Sequence, residues 1–366
     1  MHKWDYISLS ETSSGYEDVL DILKTYSKKR YLNSNEEQRV QMVEEIFKIY
    51  RSKNIFPITY YNKEGIYAEI KKCIDKKIIW DGKTLDLKFN QGQSLCRFIF
   101  PNLTDVQVRA HKNMWNRFMD DHKLRKAIEF SLKYKKSVTP AEIRTSFEMI
   151  CGGIATNFKT MNAKALYEKY CPIDGVIYDY ACGFGGRMLG ALSSKNNYTY
   201  IGVEPCIESY GHLLELGLYI EHVTKRSNSY KILCMGSEDF IYGKNTIDFA
   251  FSSPPYFNLE KYSNEFTQCY NRFPVLTEWF ENYVKPTIEN TYAMLKPNTY
   301  YAVNIADFKY SKEVTKYVDI WIKFAENIGF RYEHKIEMKL KSRRGNGHEK
   351  PNVDNNEGIY IFKTIK

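Results

Sequence analysis

The residues best suited to chemistry are Ser253, Pro254, Pro255 and Tyr256, which directly follow the apolar run IDFAFS, with Phe257 next. Two prolines remove two backbone donors and stiffen the chain, so that the carbonyl groups become fixed acceptors. An exocyclic amine has two hydrogens to donate, and a serine oxygen together with a proline carbonyl can accept both. The aromatic ring that follows offers a stacking face. The motif therefore predicts a pocket for a planar amine, and the alternative is a proline-stiffened loop.

A second group of candidates surrounds a Gly-rich turn in the stretch DYACGFGG, residues 179–186. The turn follows a predicted strand and opens a predicted helix, and doubly wound sheets bind ligands at the carboxyl ends of their strands. Met188 replaces the third glycine of a dinucleotide fingerprint. The turn therefore favours a nucleotide-like ligand, with a plain strand-to-helix turn as the alternative. Its candidate ligand-binding residues are Asp179, Tyr180, Ala181, Gly183, Phe184 and Gly185.

The next two predicted strands also end in polar residues. A carboxylate at the end of the first can accept hydrogen bonds from ribose hydroxyls. The turn after the second can bind an adenine amino group and pack an apolar side chain on the ring. A solvated carboxylate and a simple turn are the respective alternatives. The candidates here are Glu204, Pro205, Glu238, Asp239 and Phe240.

These motifs resemble those of the DNA amino-methyltransferases that use S-adenosylmethionine. That family carries D-x-F/Y-x-G-x-G for the cofactor and [DNS]-P-P-[YFW] for the target amine, and the two read DYACGFGG and SPPY here. The resemblance covers residues 155–366. It implies an α/β fold, a doubly wound seven-stranded sheet whose last strand is antiparallel.

The resemblance also assigns roles to the candidates. Asp179 and the glycines would hold the methionine end of the cofactor, Glu204 its ribose and the turn at 237–240 its adenine. The stretch Asn157–Thr160, with Phe158 and Lys159 as candidates, lies where the family has another cofactor-contacting segment. The family extrudes its target base from the duplex, and Tyr256 with Phe257 would stack on that base. Ser253 is similar to the cytosine-N4 subgroup, because aspartate or asparagine is commoner in the adenine-N6 subgroup.

The chain carries a net charge of +9, and residues 109–136 hold nine basic side chains against three acidic ones. Aromatic residues lie between them, a pattern that suits a helix facing phosphates. A solvated basic face whose aromatic rings point into the core is the alternative. A basic loop between the last two predicted strands is the second candidate, with a surface hairpin as its alternative. The nucleic-acid candidates are Lys133, Lys135, Lys136, Arg343 and Arg344.

The chain of 366 residues changes character near residue 150. We predict a mainly helical N-terminal domain, 1–150, with a role in target recognition, and a catalytic domain, 151–366, of alternating strands and helices. A capping box is expected at Ser34–Glu37 and an extended piece at LCRFIF, residues 95–100. The last two strands are expected to form an antiparallel edge. Apolar runs predict the strands at 175–181, 198–204, 230–235, 247–252, 300–306, 330–340 and 358–365.

Eight cysteines without a CxxC pair give no zinc pattern, and they indicate free thiols in a reducing compartment. No signal peptide or membrane span is expected. The expected setting is therefore cytoplasmic, and the resemblance implies a bacterial or phage enzyme. The expected partners are double-stranded DNA and a cognate restriction system. Alternatives are an adenine-N6 DNA methyltransferase, an RNA or protein amino-methyltransferase, a non-catalytic DNA-binding module and a nicotinamide-dependent enzyme.

Overall fold

The computed structural model describes residues 13–85, 87–109, 111–338 and 357–366, and the chain divides into two compact units. Of the described residues, the first unit contains those up to 66 and those within 101–156; the second contains those within 67–100 and from 157 onward. This division differs from the predicted one at residue 150, because residues 67–100 belong with the sheet. One physical reason is Lys164, whose buried ammonium donates to the carbonyls of Cys73, Ile74 and Lys76.

The described residues form α-helices and β-strands with the following bounds. Its α-helices are α1 (Ser13–Lys24), α2 (Lys28–Leu32), α3 (Glu36–Ser52), α4 (Lys63–Asp75), α5 (Gln93–Ile99), α6 (Met114–Met119), α7 (Asp121–Tyr134), α8 (Pro140–Cys151), α9 (Thr160–Tyr170), α10 (Gly186–Leu192), α11 (Ile207–Thr224), α12 (Cys269–Arg272), α13 (Leu276–Trp279), α14 (Lys285–Met294) and α15 (Tyr317–Ile328). Its strands are β1 (Thr84–Leu85), β2 (Gln107–Val108), β3 (Val176–Asp179), β4 (Thr199–Val203), β5 (Tyr230–Leu233), β6 (Ile247–Ser252), β7 (Glu260–Lys261), β8 (Leu295–Ile305), β9 (Phe308–Tyr310), β10 (Glu313–Thr315), β11 (Phe330–Met338) and β12 (Gly358–Thr364).

The second unit is built on an eight-stranded sheet of order β1-β11-β12-β8-β6-β3-β4-β5. The run from β8 to β5 is parallel, whereas β12 is antiparallel to both β8 and β11. The central strands are buried on both faces, because the adjacent residues Ile177 and Tyr178 of β3 face opposite sides of the sheet and are both fully buried, as parallel sheets require. The predicted α/β fold, a mostly parallel sheet with an antiparallel last strand, is therefore confirmed.

Two details of the predicted sheet are wrong. The sheet has eight strands rather than seven, because β1 pairs in parallel with β11. The antiparallel pair is not the edge either, since β12 lies between β8 and β11 and β1 lies outside β11. A two-residue strand such as Thr84–Leu85 has no pattern of its own and exists through its pairing with β11.

Two local predictions also need correction. The capping box of α3 begins one residue later than predicted, at Asn35, whose side chain accepts from the amide of Gln38 while the Gln38 side chain accepts in return. The stretch LCRFIF forms the helix α5 instead of an extended piece. Short apolar runs are compatible with either structure, and Gly92, in a left-handed conformation, begins a helix here.

Candidate functional site

The two chemical motifs follow β3 and β6, which are neighbours in the sheet. The chain leaves β3 toward β4 on one side, whereas β6 lies on the other side, so the strand order reverses between β3 and β6. In open α/β sheets, ligands bind outside the carboxyl ends of the strands at such a switch point. The structure thus brings the DYACGFGG and SPPY stretches together at the position where a ligand site is expected.

Two glycines of the turn after β3 serve different purposes. Gly183 and Gly185 have φ values of 58° and 72°, in the left-handed region that glycine enters without strain. A Cβ on Gly185 would lie 2.7 Å from the side chains of Leu216 and Phe100, so packing requires glycine there. A Cβ on Gly183 would meet nothing closer than the Ala181 carbonyl at 3.9 Å. Gly183 therefore leaves an open backbone face for a ligand.

Asp179 is fully buried and saturated with donors from its own chain. Its carboxylate accepts from Arg187 Nε at 2.8 Å, from Tyr200 Oη at 2.5 Å and from Ser252 Oγ at 2.7 Å. The amide of Ala181 donates to the same group at 3.2 Å. The resemblance implies that Asp179 contacts the methionine end of a cofactor, but here it holds together β3, β4, β6 and the Gly-rich turn.

The aromatic residues of the turn lie in two environments. Tyr180 is buried, with its ring stacked 6.3 Å from Trp321, so its side chain belongs to the core. Phe184 packs edge-on against Phe100, and its ring centroid lies 6.2 Å from that of Tyr262. Phe184 therefore contacts, from the Gly-rich turn, the loop that follows the SPPY motif.

Glu204 lies beside the turn as predicted. Its two carboxylate oxygens accept from the amides of Gly183 and Cys206, at 2.8 and 2.9 Å. Burial raises its pKa to about 7, and the two backbone hydrogen bonds oppose that rise. Each carboxylate oxygen can accept more than one donor, so the group retains acceptor capacity for a diol.

The Ser237–Asp239 turn follows β5 at the same edge of the sheet. The Oε1 atom of Glu238 accepts from Arg272 Nη1 at 2.6 Å, while its Oε2 atom is buried without a partner in the described part of the chain. Burial raises the pKa of Glu238 to about 7. Asp239 also pairs with Arg272. Phe240 differs from its predicted role, because it is buried in the core with its ring 5.6 Å from Tyr178.

The segment with Phe158 and Lys159 does lie against the Gly-rich turn. Asn157 Nδ2 donates to the Phe184 carbonyl at 2.6 Å, and the Phe158 ring packs 5.2 Å from that of Phe251. Lys159 Nζ donates to the Leu87 carbonyl at 2.9 Å. The side chain that bonds the turn is thus that of Asn157, the first residue of the predicted segment.

Ser253 is half-buried and makes only long hydrogen bonds. Its Oγ lies 3.4 Å from both the carbonyl and the Oδ1 atom of Asn304, at the end of β8. Asn304 Nδ2 donates to the Gly358 carbonyl at 3.1 Å, which directs the amide oxygen toward Ser253. The serine hydrogen thus has a partner, and the serine lone pairs stay available. Sequence reasoning missed Asn304, which carries no motif.

The prolines and the tyrosine of the motif differ in their hydrogen bonds and neighbours. The Pro255 carbonyl accepts from Tyr317 Oη at 3.3 Å, whereas the Pro254 carbonyl has no hydrogen bond within the described residues. Tyr256 meets Phe308 and Tyr317 edge-on. Burial, followed by the carboxylates of Glu357 and Glu260, raises its pKa well above the usual value.

Phe257 does not fit its predicted role as a second stacking ring. It has a φ of 52° and no exposed surface. Its ring packs 5.7 Å from Trp279 and 5.2 Å from Tyr310. Phe257 therefore anchors the loop in the core and leaves Tyr256 as the aromatic residue of the motif that a ligand can reach.

The predicted basic face in the first unit is interrupted. Arg117 is buried and donates to the carbonyls of Gly152 and Gly153, and Arg125 pairs with Glu44. Phe118 is buried, and its ring packs on that of Phe56. Lys133 and Lys136 are exposed and Lys135 is half-buried, around the end of α7. The candidates Arg343 and Arg344 lie outside the described residues.

Within the described ranges, no helix is long and apolar enough to cross a membrane. The same residues contain no group of three or more His, Cys, Asp or Glu side chains arranged to hold a metal ion.

No family model and no curated protein matches the chain. Among solved structures, it is similar to a TehB-like SAM-dependent methyltransferase from Corynebacterium glutamicum, with a TM-score of 0.36, 14% identity and coverage of 58% of this chain and 90% of that one. A putative S-adenosylmethionine-dependent methyltransferase from Listeria monocytogenes has a TM-score of 0.36 and 10% identity, with coverage of 56% of this chain and 98% of that one. A SAM-dependent methyltransferase from Methanosarcina mazei has a TM-score of 0.35 and 14% identity, with coverage of 55% of this chain and 97% of that one. Likenesses this distant say nothing of substrate.

Proposed function

We propose that the protein transfers a methyl group from S-adenosylmethionine to the exocyclic amine of a base in DNA, with cytosine N4 as the favoured target. The observation that supports this most is the SPPY loop at the carboxyl end of β6, beside the Gly-rich turn at the switch point. Each half of the site suits one half of the reaction. The substrate assignment comes from the resemblance of the motifs.

The cofactor fits the polar groups on the first half of the site. Gly183 presents an open backbone face, and Glu204 retains acceptor capacity for ribose hydroxyls. Glu238 has a buried oxygen without a partner among the described residues, which suits the amino group of adenine. When bound, S-adenosylmethionine supplies a methyl group already activated on a sulfonium, so that no strong base is required.

The second half of the site suits an amine nucleophile. Ser253 Oγ and the Pro254 carbonyl would accept the two amine hydrogens, because Asn304 holds the serine hydrogen and Tyr317 occupies the Pro255 carbonyl. Accepting both hydrogens favours a pyramidal nitrogen whose lone pair is free to attack. Tyr256 would stack on the base. Placement and electrostatics would supply most of the rate.

The deciding experiment is mass spectrometry of nucleosides from DNA that has been incubated with the protein and methyl-labelled S-adenosylmethionine. We expect labelled N4-methylcytosine. Labelled N6-methyladenine would retain the enzyme class and overturn the weight placed on Ser253. Label in RNA or protein instead of DNA would move the substrate to those classes.

The first unit is the proposed place for DNA binding, through Lys133, Lys135 and Lys136. Reversing these three charges to glutamate should weaken DNA binding and flatten its dependence on salt, because the salt slope falls by roughly 0.9 for every phosphate that the protein no longer neutralises. The matched control reverses Lys28, Lys29 and Lys48, which are exposed in the same unit. Equal effects of the two triple variants would point to general charge, and no effect of the first would remove α7 from the interface.

A further inference from the structure

The loop after the SPPY motif, residues 258–273, is attached to the cofactor half of the site near Glu204. Glu265 accepts from the amide of Ile207 at 3.2 Å, at the start of α11. Thr267 Oγ1 donates to the Pro205 carbonyl at 2.8 Å. The chain segment that begins at the amine motif is therefore fastened beside the predicted ribose residue.

The same loop is fastened a second time at the turn after β5. Arg272 Nη1 lies 2.6 Å from Glu238 Oε1 and 2.5 Å from Asp239 Oδ2. The Glu238 side chain is 2% exposed, that of Asp239 50% and that of Arg272 25%. Hydrogen bonds between charged groups are the stronger ones, so this is the main attachment of the loop to the turn.

The turn is held separately from behind, through its backbone. Asn290 Nδ2 donates to the carbonyls of Ser237 and Glu238, at 3.2 and 2.9 Å. Ser237 Oγ also hydrogen-bonds Thr287 Oγ1 at 2.8 Å. The backbone of the turn is thus fixed by α14, whereas the Glu238 carboxylate is oriented by Arg272. With Arg272 on Oε1, the buried Oε2 is left to accept from a ligand.

We propose that Arg272 is a positioning residue that orients Glu238 for the cofactor and couples cofactor binding to the attachment of the 258–273 loop. The inference rests on the proposed function. Removal of Arg272 would leave Glu238 as a buried carboxylate without a counter-charge, which favours proton uptake or rotation. Loss of Arg272 should weaken cofactor binding rather than the chemical step, since its hydrogen bonds and ion pairs go to Glu238 and Asp239 and not to Ser253, Pro254 or Tyr256.

The test measures binding of S-adenosylhomocysteine to the full chain by titration calorimetry, together with hydrogen exchange of residues 258–273. For R272Q we expect affinity to fall roughly tenfold, equivalent to about 1.4 kcal/mol. R272K should give an intermediate value, because it keeps the charge without the planar fork. Bound ligand should slow exchange of the loop in the wild type and much less in R272Q. In turnover, the KM for the cofactor should rise while kcat is retained.

The matched control is K285Q, which removes an exposed ion pair with Glu281 in the same unit and should bind as the wild type does. Wild-type affinity in R272Q, or equal slowing of its loop, would overturn the proposal. If R272Q does not fold, R272K is used in its place, and wild-type affinity together with wild-type loop exchange in R272K would overturn the proposal. A wild type that fails to bind S-adenosylhomocysteine would instead contradict the proposed function.

Discussion

Asp179 ends β3 and Ser253 follows β6, yet the two motif residues use their polar atoms in opposite ways. Asp179 is fully buried, with donors from Arg187, Tyr200 and Ser252 at 2.5 to 2.8 Å. Ser253 is half-buried, with contacts to Asn304 at 3.4 Å. The first loop therefore uses its characteristic carboxylate to hold the fold together, whereas the characteristic oxygen of the second makes only long hydrogen bonds.

The difference indicates that a motif residue can shape a predicted site through hydrogen bonds within its own chain. The Asp179 cluster joins β3 and β4 to the Gly-rich turn, and Ser252 extends it to the end of β6. Ser253, the next residue, contacts Asn304 instead. Under the proposed function, the adjacent serines separate a structural role from a chemical one, and substitutions can test that separation.

The largest effect is expected for Asp179→Asn. The asparagine leaves the buried guanidinium of Arg187 without a counter-charge and turns an amide donor toward groups that are themselves donors. Loss of one partner of a buried ion pair costs about 3–5 kcal/mol, and urea unfolding measures it. The control, Asp174→Asn, makes the same change at an exposed turn before β3 and should stay within about 0.5 kcal/mol of the wild type. Equal stabilities of the two variants would contradict the structural role.

Ser253→Ala should show the reverse pattern. We expect kcat to fall roughly 100-fold, as when one preorganised hydrogen bond to a reacting group is removed, with stability and S-adenosylhomocysteine affinity nearly unchanged. Methyl transfer assays and thermal melting measure the two quantities.

The neighbouring Ser252→Ala is the matched control. It removes the 2.7 Å hydrogen bond to Asp179 and should lower stability by about 1–3 kcal/mol. If Ser253→Ala lost stability and retained activity, the two serines would have exchanged roles and the amine pocket would be misplaced.

Much of the sheet could be predicted from sequence, because buried central strands are short apolar runs. The strands β3, β4, β5 and β6 each lie within such a run, whereas β8 begins five residues before its run. Prediction failed where structure depends on distant pairing. The strand β1 has two residues and exists through β11, and the place of β12 inside the sheet is set by register and packing rather than by its own pattern.

The motifs of the site could be predicted in the same way, since prolines and glycines constrain the backbone locally. Asn304 and Arg272 could not, because each is a single polar residue far along the chain from its partner. Burial could not be predicted either. Phe240 and Phe257 belong to the predicted site turns, but their rings are in the core, and sequence spacing does not distinguish an anchor from a stacking face.

The smallest effect for each unit of pH, at most about 1.4 kcal/mol, is expected for Glu204→Gln. The pKa of Glu204 is raised from 4.5 to about 7 in the folded chain, so the folded state holds this proton more tightly than the unfolded state. Its contribution to stability is fully present below about pH 4.5 and is lost as the pH rises through about 7. Glutamine does not titrate, so the wild type should lose stability relative to Glu204→Gln across that window. The slope of this stability difference against pH corresponds to at most one proton.

Urea unfolding at several pH values measures this difference, and Glu238, which titrates nearby, cancels because both proteins contain it. A difference that stays constant from pH 4.5 to 8 would contradict the buried position of Glu204. Ribose hydroxyls are bound best by the ionised carboxylate, so wild-type affinity for S-adenosylhomocysteine should rise over the same window and that of Glu204→Gln should rise less. The two results together would show that the Glu204 carboxylate, unlike that of Asp179, can still accept hydrogen bonds from a ligand.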